Sequence, residues 1–271
     1  MLIVPLMKTS IRLGQIDVLS AIAKADLAGT LGWQDVKQRY RRSKLGPFWL
    51  TISMGVLIAA LGTVFGGIFN TPMREFLPFL AAGIILWTYI STVINEGCTA
   101  FISSDAVIKQ LPLPMFSHVM RVVWRNLVIL AHNVIIIPLV FIVFLRPVEV
   151  VTLLAIPGLI LTTLTLAWVA LLAGVVCTRY RDLSQIVASV LQIAFYVTPI
   201  IWMPSMLSGR REFIFLDINP FYHLIEVVRA PLLGIPPTLT NWLVSVGMVT
   251  VGWLITLAVY GKYRNRISYW L

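Results

Sequence analysis

Apolar and polar positions fall in long blocks along this chain rather than in short periods. From Phe48 to Phe69 no charged residue occurs, and five more apolar blocks follow: Phe76 to Ile94, Asn126 to Leu145, Val150 to Thr178, Leu183 to Met203 and Trp242 to Tyr260. A helix rises about 1.5 Å per residue and needs roughly 20 apolar residues to cross hydrocarbon. The pattern predicts an all-α integral membrane protein with six transmembrane helices. Arg74 and Glu75 separate the first two blocks, and Arg146, Pro147 and Glu149 separate the third from the fourth, which predicts two hairpins.

Three stretches do not read as spans. Before the first, Trp33, Val36 and Tyr40 recur at i, i+3 and i+7, the spacing of an amphipathic helix lying in the membrane interface. Asn95 to His118 is a connection with a short helix expected around Ser103 to Gln110, capped by Asp105. Pro204 to Asn241 is too broken by charge and proline to span. Within it, Leu216 to Gly234 predicts a helix begun at Asn219 and Pro220 and ended by Pro231 and Gly234. Phe221, Leu224, Ile225 and Val228 share one face of that helix, as suits a re-entrant or interfacial segment, and Glu226 and Arg229 are spaced to pair. Residues 1–271 thus read as one transmembrane domain: an interfacial region 1–47, a six-span region 48–260 and a tail 261–271.

Composition agrees and charge adds direction. Of the 271 residues 59% are hydrophobic and 12% charged, with a mean hydropathy of +0.90. Lys and Arg number 21 against 11 Asp and Glu, a net charge of +10. Nucleic acid is not the expected partner, because basic residues of a membrane chain belong first on its cytoplasmic flanks. Six crossings put both termini on one side, and 16 of the 21 basic residues fall there. Both termini are therefore expected in the cytoplasm. The opening MLIVPLMKTSIRLG lacks the order of a signal peptide and reads as part of the mature chain.

Candidate chemistry is sparse. Cys98 and Cys177 have no metal or redox spacing, no phosphate-binding G-x-x-x-x-G-K-[ST] loop occurs, and no nucleophile motif is present. Gln192 and Tyr196 lie one turn apart on one face of the fifth span, where Pro199 would loosen the helix and free a carbonyl. His132 and Asn133 read as glue between helices, and Gly62 with Gly66 as a close-packing pair. The run QDVKQRYRRSKLGPFWL, Gln34 to Leu50, reads either as a topology signal touching lipid headgroups or as a site for an anionic substrate.

The chain resembles the membrane subunits of ABC exporters that move lipid-linked polysaccharides: O-antigen, capsule and teichoic-acid permeases. The resemblance rests on Asp35, Val36, Lys37, Arg39, Tyr40, Arg41, Ser43, Leu45, Gly46, Pro47 and Trp49, then on Arg179, Tyr180, Arg181, Asp182 and Leu183. Tyr196, Pro199, Ile200 and Trp202 extend it, as do Asn219, Pro220, Arg229, Pro231 and Gly234.

The resemblance implies a homodimer bound to two copies of a separate ATPase that binds ATP and magnesium, with no cofactor in this chain and no catalysis of its own. It implies residence in a bacterial inner membrane. Arg39, Arg41, Arg42 and Lys44 would receive a polyprenyl-diphosphate headgroup, since arginine binds phosphate bidentately. Ser103, Ser104, Asp105 and Lys109 would lie on the segment that couples to the ATPase, and Arg179, Arg181 and Asp182 would form an inner turn. Trp49, Trp87, Tyr89, Gln192, Tyr196 and Trp202 are candidates for lining the polymer's path, with the interfacial aromatic belt an equal role for Trp49 and Trp202. Asn219, Pro220, Glu226 and Arg229 would belong to an outer gate of re-entrant helices. Two alternatives stay open: an ABC permease for a drug, haem or another lipid, and a membrane-embedded glycosyl- or acyltransferase. The latter would have to draw its acid or base from Glu96, Asp105, Asp182 and Glu226.

Overall fold

The computed structural model describes residues 3–40, 48–207 and 216–271, with the backbone alone at 3–10, 39 and 40. Among the described residues there are helices and connections and no strand. The helices are α1 (Ile3–Ala23), α2 (Ala25–Tyr40), α3 (Phe48–Ile68), α4 (Met73–Cys98), α5 (Asp105–Gln110), α6 (Phe116–Val134), α7 (Ile136–Val143), α8 (Ala155–Arg179), α9 (Leu183–Val197), α10 (Pro220–Leu232) and α11 (Leu239–Trp270).

Among the described residues five helical stretches are long and apolar enough to cross a membrane: Phe48–Ile68, Met73–Cys98, Phe116–Val143, Val150–Arg179 and Leu239–Trp270. The fifth expected span, Leu183 to Met203, is helical only to Val197. Pro199 explains the stop, because it forces the preceding residue out of the helical region; Thr198 is extended, at φ −80° and ψ 138°. Other boundaries also move. Helix α4 runs on to Cys98 and α6 begins at Phe116, so the connection expected at Asn95 to His118 narrows to 99–115. Helix α11 continues to Trp270 and takes in most of the expected tail.

Helix α4 is the axis of the fold. Its Phe76, Leu80, Ile85, Ile90 and Val93 are all buried, with α6 and α8 on its flanks and α3 laid along its side. Helix α9 packs chiefly on α4 and α8, while α10 wedges among α4, α8 and α11. Since lipid is as apolar as leucine, close packing rather than water exclusion holds such helices together. Gly97 meets Ala170 of α8, and a Cβ on Gly158 would stand 2.3 Å from the Val227 carbonyl of α10.

The bundle has two ends. One, called here the terminal end, gathers α1, α2, the C-termini of α4, α8 and α11, and the start of α6. The far end carries the connections 69–72, 144–149, 198–207 and 233–238.

Candidate functional site

At the terminal end two aspartates fasten the N-terminal helices to the bundle. Asp17 of α1 is 3% exposed. Its carboxylate accepts from the backbone N–H groups of Met115 at 3.3 Å and Phe116 at 3.0 Å, and from the Tyr260 hydroxyl at 2.5 Å. Arg264 Nε stands 3.3 Å away. A carboxylate there serves the unpaired amides and positive end of α6 from a different helix.

Asp35 of α2 accepts from Arg121 Nε at 2.6 Å, from Arg121 Nη2, and from Arg125 Nη1 at 2.8 Å. Arg125 Nη2 and Asn126 Nδ2 each reach Glu96 Oε2 of α4 at 2.6 Å. Burial alone would raise the Asp35 carboxyl, but the hydrogen bonds and charges of Arg121 and Arg125 outweigh it and hold that carboxyl below its ordinary value. Gly32 lets α2 approach the Arg121 carbonyl closely.

The expected interfacial stripe is therefore split. Val36 is buried in the α2–α6 contact, whereas Trp33 is exposed beneath Lys37. Arg39 ends α2 with only its backbone described, and Arg41, Arg42 and Lys44 lie outside the described residues. Sequence patterning did not single out Asp17, Arg121 or Arg125.

Beside this network the chain turns through a short 3-10 helix, Ile102–Ser104, into α5. Asp105 does not cap α5, as the sequence had suggested. Ser104 holds the cap position without a side-chain bond, and Asp105 is the first helical residue, paired with Lys109 at 2.9 Å. Ala100, Phe101 and Ser104 are buried, with Phe101 against Gly174 of α8, while Ser103 and Lys109 face outward. A polar cavity of about 280 Å³ opens here, lined by Glu96, Ser103, Ser104, His118, Arg121 and Arg125. At the inner turn, Arg179 lies over the rings of Tyr180 and Trp270, Arg181 is exposed, and the Asp182 carbonyl accepts from Gln185 N. Three of the four acids a transferase would call on are held in ion pairs: Glu96, Asp105 and Glu226.

Helix α9 is almost wholly uncovered, with only Leu191 buried. Gln192 and Tyr196 lie on one exposed stripe, and the structure extends that stripe downward through Ser189 and Gln185. Ser189 bonds its own helix, whereas the Gln192 amide and the Tyr196 hydroxyl have no hydrogen-bond partner among the described residues. Trp49 is exposed at the start of α3. Trp87 and Tyr89 are buried: Trp87 packs on Phe195 and Phe221, and the Tyr89 hydroxyl meets Thr163 at 3.1 Å. Trp202 donates its indole N–H to the Tyr196 carbonyl left free by the helix break.

The far end is built around that break. Asn219 caps α10 by accepting from Phe221 N and Tyr222 N, and its amide donates to the Thr198 hydroxyl at 3.0 Å. Pro220 sits at the first helical position, where its missing N–H is no loss. Arg229 is completely buried. It pairs with Glu226 through Nε at 3.0 Å and Nη2 at 2.6 Å, donates Nη1 to the Pro199 carbonyl at 2.6 Å, and lies 3.9 Å over the Phe79 ring. His223 bridges Asn241 and the Asp217 carbonyl. Buried non-helical backbone needs partners for its polar groups, and these side chains supply them here.

A profile described as ABC-2 type transporter matches residues 27–233. The chain is 27% identical over 208 residues to an O-antigen export system permease protein RfbA of Myxococcus xanthus, covering 73% of this chain and 76% of that protein. It is 25% identical over 252 residues to a protein of the same description from Klebsiella pneumoniae, covering 90% of this chain and 94% of that protein.

Proposed function

The chain belongs to the ABC-2 type transporter membrane family, and from that premise we propose that it carries lipid-linked polysaccharide, such as O-antigen, out of the cytoplasm across a bacterial inner membrane. It is a multi-pass membrane subunit of an ABC transporter, and the family implies a partner ATPase. Two copies of the chain would work with two ATPase subunits, which bind ATP and magnesium. Both termini would face the cytoplasm, with Ser103, Ser104, Asp105 and Lys109 turned toward the ATPase.

One observation carries the reading: the polar stripe of α9. A polar group without a partner costs several kcal/mol in hydrocarbon, so the Gln192 amide and the Tyr196 hydroxyl require water, cargo or a second copy rather than lipid. A hydrated glycan supplies hydroxyls for the amides, and its C–H faces suit Tyr196. Helix α9 has 15 residues, roughly 22 Å of rise against about 30 Å of hydrocarbon. Thr198 to Met203 would complete this fifth of six crossings as broken backbone held by Asn219 and Arg229. The segment Asn219 to Gly234 would be the outer gate. Arg39, Arg41, Arg42 and Lys44 would receive the diphosphate where α2 leads into α3, and Arg179, Arg181 and Asp182 would form the inner turn below α9.

The test is export in cells lacking the native gene. Wild-type chain with its ATPase should place polymer at the cell surface, and Arg39, Arg41 and Arg42 changed together to Gln should trap lipid-linked glycan inside. Surface polymer at the wild-type level from the triple variant would remove the headgroup role, and export by the chain without an ATPase would overturn the mechanism.

A further inference from the structure

At the far end, helix α7 stops in an unusual way. The N–H of Arg146 bonds the Phe141 carbonyl at 2.9 Å and that of Leu145 bonds the Ile142 carbonyl at 3.2 Å. These are the two bonds of a motif whose left-handed residue is normally glycine. Here the residue is Leu145, at φ 48° and 82% exposed. A leucine in that conformation costs about 1–2 kcal/mol relative to right-handed backbone. The strained residue turns its apolar side chain away from the protein, and Val143, Val148 and Val150 nearby in the chain are exposed as well.

Next to this wedge lies an apolar groove of about 490 Å³, walled by Ile137, Phe141, Val148 and Leu232. Two polar side chains interrupt its lining. Thr152 has a buried hydroxyl without a hydrogen-bond partner. Arg146 is held in place by one bond, Nη2 to the Leu233 carbonyl at 2.8 Å, and by the Phe141 ring. It forms no ion pair among the described residues, so most of its five N–H donors remain for something else. Arg121, Arg125, Arg229 and Arg264 are all paired with carboxylates.

We propose that this groove is a specific site for one membrane phospholipid, whose phosphate binds the Arg146 guanidinium while an acyl chain fills the groove under the Leu145 wedge. The occupant follows from charge complementarity: an unpaired cation at the mouth of an apolar slot selects a molecule with an anionic head and a long apolar tail. Arginine meets phosphate oxygens with two parallel N–H groups. The site differs from the cargo path, because α7 and the 150–154 turn make no substantial contact with α9. It stands whether or not the exported cargo is a polysaccharide.

Native mass spectrometry of the full chain, released from a delipidating detergent and titrated with dioleoyl-phosphatidylglycerol, reads the site directly. Wild type should retain one tightly held lipid per chain. Arg146→Gln should weaken that lipid about tenfold or more, the loss expected of a charge-assisted pair. Ile142→Trp, which narrows the groove and leaves Arg146 bonded to Leu233, should weaken it comparably. Arg74→Gln, at the same end but away from the groove, should change nothing. Dioleoylglycerol, which lacks the phosphate, should bind wild type no better than phosphatidylglycerol binds Arg146→Gln. Equal retention of phosphatidylglycerol by wild type and both groove variants would overturn the proposal. So would equal binding of the two lipids, or a tight lipid lost in Arg74→Gln as well.

Discussion

Replacing Arg229 with methionine removes the group that holds the broken end of α9. Methionine keeps much of the volume over Phe79 but leaves the Pro199 carbonyl and the largely buried Glu226 carboxylate without a donor. Breaking a buried pair by removing one partner costs about 3–5 kcal/mol, because the other charge stays buried. At about 2–4 °C per kcal/mol for a chain of this size, the midpoint of unfolding should fall by roughly 10 °C. Native thiols supply the assay. Cys98 and Cys177 are both buried, so a fluorogenic maleimide reacts with them only as the bundle opens. Glu226→Gln combined with Arg229→Met removes the stranded charge and should recover more than half of the loss. A wild-type midpoint for Arg229→Met, or a double variant no better than the single one, would refute the view that this pair is held by mutual compensation.

Three further outcomes follow from named contacts. Asp35 has a folded pKa depressed below its unfolded value of about 3.9, so its contribution is fully present above that value and is lost as pH falls through the folded pKa. Hydrogen exchange over 25–40, corrected for intrinsic rate, should stay slow from pH 7 to 5 and accelerate only below about pH 4; in Asp35→Asn it should be fast at pH 7. Gln192→Leu should leave the maleimide midpoint within about 1 °C, because its amide bonds nothing among the described residues, and on the proposed cargo path it should lower surface polymer severalfold. Gly97→Val would drive a side chain into Ala170 and its backbone, and should lower the midpoint by at least the 1–3 kcal/mol typical of overpacking, or about 5 °C.

Local chemistry was legible in the chain and distant chemistry was not. Asn219 followed by Pro220 announces the start of α10, and Glu226 with Arg229 announces a pair, because each signal lies within one turn. The fate of Leu183 to Met203 was half legible: Pro199 marked the weak point, but the capture of its carbonyl by Arg229 depends on a residue 30 positions away. The pairings of Asp17 and Asp35 carried no local signal, since their hydrogen-bond partners follow at separations of 86 to 243 residues. The stripe of Trp33, Val36 and Tyr40 suggested a helix at a surface, and helical periodicity cannot say whether the covering surface is lipid or α6. At Leu145 composition misdirects, because a motif normally signed by glycine is built here with leucine.

The bond between Tyr260 and Asp17 also sets an order of events during synthesis. Tyr260 is made 243 residues after Asp17, so the carboxylate cannot gain its full set of partners until the chain between them has been threaded. Only then do the start of α6 and the end of α11 stand together to receive it. Full docking of α1 is therefore a late act of assembly, and a chain truncated before Tyr260 should hold α1 by the amides of Met115 and Phe116 alone, loosened and open to the proteases that patrol unfinished membrane proteins.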